Sequence, residues 1–82
     1  MILHEYLRQV THMKEIQIHT PFITLGQFLK LANLISNGGE AKLFLMENIV
    51  YVNQEKENRR GRKLYPGYEI ELEGQKFMIV EK

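Results

Sequence analysis

The residue pattern predicts an α+β fold, a two-helix hairpin combined with the strands of a small β-sheet. Three observations lead there. Apolar residues alternate with polar ones at Ile16 and Ile18 and again at Ile70 and Leu72, the two-residue period of half-buried strands. Between them, residues 24–47 hold two apolar stripes with helical spacing. Asn37, Gly38 and Gly39 separate the stripes and tolerate a sharp reversal. The predicted order is strand, helix, helix, three strands.

Taken in chain order, Lys14 to His19 reads as a short strand ended by Pro21, which lacks the backbone donor a ladder needs. Thr24 followed by Gln27 fits a capping box, and Leu25, Phe28, Leu29, Ala32 and Ile35 then recur on one helical face, predicting a helix to about Ser36. The Asn-Gly-Gly segment is expected to end it with positive-φ residues. Glu40 favours the start of a second helix, whose apolar side is Ala41, Phe44 and Leu45 and which Asn48 stops. Ile49 to Val52 are dense in β-branched and aromatic residues, a strand closing at Asn53. Gln54 to Lys63 reads as a long polar loop, and Pro66-Gly67 as a turn in which proline sets φ and glycine takes the left-handed position. Ile70 and Leu72 mark the next strand, Gly74 and Gln75 a turn, and Phe77 to Val80 the last strand. Tyr51 and Phe44 are read as core.

At 82 residues the chain makes one domain, expected over 13–82, that buries only about 60% of its unfolded surface. The first twelve residues are read as an N-terminal extension, either disordered or upstream of a natural start at Met13. Ile2, Leu3, Tyr6, Leu7 and Val10 outline a helical face there, but no residue caps it. A composition of 44% hydrophobic and 26% charged residues is that of a chain that folds by itself. With no cysteine there is no disulfide framework, thiolate metal site or cysteine nucleophile, which suits a reducing cytoplasm. No run nears the roughly 20 apolar residues of a membrane span, and no signal-peptide pattern opens the chain.

Charge is the informative property. The net value is only +1, yet Arg59, Arg60, Arg62 and Lys63 put four cations into five positions, while Glu69, Glu71 and Glu73 alternate further on. Every acidic residue is a glutamate, so the short carboxylate common in magnesium and hydrolytic centres is missing. The alternating glutamates are what one solvated strand face requires, and do not call for catalytic carboxylates. His4, His12 and His19 lack metal-ligand spacing and a completing cysteine or aspartate, so no metal or other cofactor is expected. The glycine pair has no preceding strand and no P-loop lysine and hydroxyl, and is read as a helix connector. Neither an enzyme nor a small-molecule substrate follows from these residues.

The stretch ITLGQFLKLANLISNGGEAKLFL followed by IVYVNQEKENRRGRKLYPG resembles the RNA-binding domain of ribosomal protein S-four, in particular its small stand-alone bacterial members of the YaaA and YbcJ type. The likeness runs from about Ile16 to Val80. It implies a helical hairpin and small twisted sheet presenting one basic, non-catalytic face to structured RNA, with ribosomal RNA or a ribosomal particle as partner. Carried over, the family's basic positions fall on Lys42 at the start of the second helix and on Arg59, Arg60, Arg62 and Lys63 in the loop, and Lys30 on the first helix joins them. The family's arginine before the second helix is replaced here by Gly38 and Gly39, and its acidic residue after the proline-glycine turn by Tyr68.

Physical chemistry agrees with that carry-over. An arginine fork matches phosphate oxygens, and several such contacts give strong, salt-sensitive affinity. Gly61 is expected to let the backbone bend between the arginines, and Tyr65 to stack on an exposed base or ribose. A few arginines without a row of aromatic platforms mean reading of RNA shape more than sequence. The competing reading of the basic run is a solvated loop facing local glutamates, and that of Tyr65 is packing against the sheet. Two other functions fit the same charges: a protein-interaction module docking its basic loop on an acidic partner, and a DNA-linked replication or repair accessory. The latter rests on the gene neighbourhood of the stand-alone branch. A monomer is favoured, although Leu43 and Met46 on the outer side of the second helix leave room for a partner surface.

Overall fold

The structure, a computed structural model, describes residues 13–82; the expectations for residues 1–12, including His4 and His12, lie outside them. It is an α+β arrangement of two helices and a mixed sheet. Strand β1 (Lys14–Ile18) leads to a two-residue strand, β2 (Ile23–Thr24), and helix α1 (Leu25–Leu31). A 3-10 turn (Gly38–Glu40) runs into helix α2 (Ala41–Glu47). Five strands follow: β3 (Tyr51–Val52), β4 (Glu55–Lys56), β5 (Lys63–Leu64), β6 (Glu69–Leu72) and β7 (Gln75–Glu81). The larger sheet has the order β1-β7-β6-β3-β4, with β1 and β7 parallel and the other pairs antiparallel, while β2 and β5 pair apart from it.

Most local signals act as the chemistry demands. The Thr24 hydroxyl accepts from Gln27 N at 3.2 Å and Gln27 Oε1 accepts from Thr24 N at 2.8 Å, the reciprocal capping box. Asn48 closes α2, its backbone N–H donating to the Phe44 carbonyl. Gly67 at φ 93° completes the Pro66 turn, where Tyr68 N donates to the Tyr65 carbonyl. The first helix departs from expectation. It ends at Leu31, because Asn33 sits at φ 61° and builds a Schellman cap: Asn33 N donates to the Lys30 carbonyl and Leu34 N to that of Leu29. The glycine pair takes no positive φ; Gly39 N donates to Asn37 Oδ1 at 2.9 Å, so the segment caps a 3-10 turn and the helices are joined by a longer connection than a tight reversal. The expected polar loop is also structured. Asn53 and Gln54, both at positive φ, form a two-residue hairpin turn between β3 and β4.

Leu25, Phe28 and Leu29 of α1 and Ala41 and Leu45 of α2 cover one face of the sheet, against Val52, Ile70, Leu72, Phe77 and Ile79. Phe28 meets Phe77 edge-on at 5.1 Å. Along β6 the buried Ile70 and Leu72 alternate with the half-buried Glu69 and Glu71, so one sheet face is packed and the other meets water. Phe44 packs against this core, whereas Tyr51 stays half-buried outside it.

Candidate nucleic-acid interface

The basic segment is held against the helices by its own backbone. The carbonyls of Arg62 and Arg60 accept from Leu25 N at 2.8 Å and Gly26 N at 2.9 Å, so the loop satisfies the first donors of α1 that no helical carbonyl reaches. Gly26 lies under this loop: a Cβ there would meet the Arg60 carbonyl oxygen at 3.4 Å and Ala41 Cβ at 3.6 Å, ordinary van der Waals contact, so the approach is close without requiring glycine. Between α1, the 3-10 turn and this loop runs an open groove lined by Thr24, Gln27, Lys30 and Arg60 over the glycines 26, 38 and 61. Its lining holds two cations and no carboxylate.

The six cations singled out by sequence do not form one set. Lys30 and Arg60 line the groove, and Lys42 projects from the first turn of α2 beside Ala41, which also lines it. Arg59 and Arg62 instead converge on Glu57, a residue sequence reasoning passed over. Arg59 donates to its carboxylate through Nε at 2.9 Å and Nη2 at 3.0 Å, and Arg62 through Nη1 at 2.7 Å. The Arg59 backbone N–H adds a fourth bond at 3.0 Å. Glu57 is only 8% exposed, the one buried charged side chain among the described residues. These partners, the Arg59 side chain foremost, outweigh burial and hold its carboxyl down at about 2. The reading of the basic run as facing a local glutamate therefore holds for Arg59 and Arg62. The signal was present as Glu57-Asn58-Arg59, but nothing in it says that Glu57 turns inward.

Lys63 and Tyr65 lie elsewhere again. Lys63 Nζ is 4.9 Å from the centre of the Phe22 ring, and Tyr65 touches both Phe22 and Tyr68 at 5.6 Å between ring centres. Arg62 reaches the Tyr68 ring at 6.0 Å, linking this cluster to Glu57. Gly61 departs from expectation: its φ is not positive and a Cβ would meet nothing within 4 Å, so the bend does not require glycine. Among the described residues no three histidines or carboxylates gather as a metal site, and no helix is long and apolar enough to cross a membrane.

Comparison with known proteins agrees with this architecture. Residues 16–80 match the family described as the S4 domain. A protein of Bacillus subtilis (strain 168), named as a probable ribosome maturation protein, RlbA, is 63% identical over 59 residues, covering 72% of this chain and 83% of that relative. A match spanning both helices, the clamped basic loop and the sheet up to β7 shows that the chain belongs to the S4 domain family.

Proposed function

We propose that this protein binds structured RNA of the ribosome or its precursors, as a non-catalytic factor that recognises backbone geometry. The observation that carries the reading is the groove in which Lys30 and Arg60 stand over glycines with no opposing carboxylate. Phosphate oxygens are the complementary chemistry, and a floor without side chains admits a bulky backbone. Lys42, Arg59, Arg62 and Lys63 extend the positive field on either side. The relative's name as a ribosome maturation protein supports a ribosomal partner. In this reading the domain needs no cofactor and acts as a monomer in the cytoplasm.

The arginines differ as test positions. Reversing Arg59 or Arg62 also strips a buried carboxylate of its partner, so loss of binding there mixes with loss of fold. Lys30→Glu and Arg60→Glu avoid this, since both side chains are exposed and neither is paired with a carboxylate among the described residues. Each is expected to weaken binding to ribosomal RNA fragments at least tenfold and to lower the salt slope by roughly one per cation removed, with thermal stability unchanged. Unchanged affinity in both variants, or a bound acidic protein that total RNA does not displace, would replace this reading with that of an interaction module.

A further inference from the structure

We propose that Phe22, Lys63, Tyr65 and Tyr68 form a second RNA subsite, one that takes a single unpaired nucleotide. The proposal rests on the RNA-binding reading above and narrows its substrate to duplex RNA interrupted by an unpaired base. The β2–β5 ladder builds the patch. Ile23 pairs with Leu64 and both side chains are buried, so the alternation of extended chain turns their neighbours Phe22, Lys63 and Tyr65 to the outer side. The Pro66-Gly67 turn brings Tyr68 back to the same place, with its N–H on the Tyr65 carbonyl.

The three rings are not equivalent. Lys63 Nζ lies over Phe22 and the Arg62 guanidinium over Tyr68, so cations occupy both flanking rings. Tyr65 stands between them, tilted 48° from Phe22 and 60° from Tyr68, so neither neighbour lies flat on it. It is also the most open of the three rings, 40% exposed where Phe22 and Tyr68 are half-buried. An open aromatic face with a lysine two residues away on the same strand side matches a nucleotide: the base stacks on the ring and its phosphate meets the ammonium. Paired bases inside an A-form helix present no free face, so the occupant is an unpaired nucleotide beside a helix whose phosphates lie along the Lys30–Arg60 groove.

The test uses the full chain and two blunt-ended RNA duplexes of the same sequence, one carrying a single bulged 2-aminopurine. The bulged duplex is expected to bind roughly tenfold tighter, the contribution of one base stacked on an aromatic side chain. Tyr65→Ala should abolish that preference without changing affinity for the uninterrupted duplex, whereas Tyr65→Phe should keep it. Quenching of 2-aminopurine fluorescence should follow the same order, and thermal unfolding confirms that each variant folds. Equal, salt-sensitive binding of both duplexes by the wild type overturns the subsite and leaves the groove reading intact. Equal weakening of both by Tyr65→Ala overturns it as well. Binding of neither duplex overturns both readings.

Discussion

Glu57 is the residue whose surroundings most change the meaning of the sequence. A glutamate in a basic loop is expected to face water, yet this one is buried under two guanidiniums and one backbone N–H. Four donors on one carboxylate offset its desolvation, which an unpaired buried charge does not survive. Its folded carboxyl titrates near 2 against an ordinary value of 4.5, chiefly because of Arg59. The depressed value means that the clamp's contribution is complete above pH 4.5 and is lost as pH falls through about 2. Glu57→Gln should lower stability at pH 7 by on the order of 1–3 kcal/mol, a range discounted because Arg59 is open to solvent. In urea unfolding, the gap between wild type and variant should narrow from pH 4.5 toward pH 2, and a gap that stays constant would show that the clamp does not stabilise the fold. Arg59 thus serves two purposes: two of its nitrogens hold Glu57, and the rest of a side chain 72% exposed faces outward.

At the scale of elements, the capping box and the Pro66-Gly67 turn were legible because a side chain or a ring decides them locally. The end of α1 was not. The apolar stripe continues through Ala32 to Ile35, and Ile35 is buried, but the chain reaches that position after leaving the helix at Asn33. Helical spacing predicts which residues face the core and does not distinguish a helix from a Schellman cap that returns the next apolar residue to the same side. Asn33→Val should therefore cost roughly 1–2 kcal/mol, since a β-branched residue is disfavoured in the left-handed region, while Asn33→Gly should be close to neutral. Chemical denaturation of the two variants tests this; equal losses would mean that the side chain, not the backbone conformation, matters there. The β3–β4 hairpin was hidden for a related reason. Its turn, Asn53-Gln54, replaces the usual glycine with glutamine at φ 73°, and Asn53 compensates by bonding Glu69 through both its backbone N–H at 2.8 Å and its side chain at 2.9 Å.

At the scale of the molecule, the described residues, 13–82, build a core and a basic groove, and the family match lies inside that span. We expect a chain starting at Met13 to unfold at the same temperature as the full chain and to bind RNA equally well; a loss in either measurement would assign residues 1–12 a structural or binding role. The sequence by itself determined the class of fold, the family, the core faces of β1, α1, α2 and β6, and the identity of the cations, because each is written in local spacing or in a contiguous run. Only the tertiary structure decided how those cations divide among a groove, a buried clamp and an aromatic patch. That division depends on Arg60 and Arg62 carbonyls docking on α1 and on Glu57 turning inward, contacts between segments about 35 residues apart or governed by burial. Spacing along a chain does not encode them, because they arise when the two helices and the sheet close on one another.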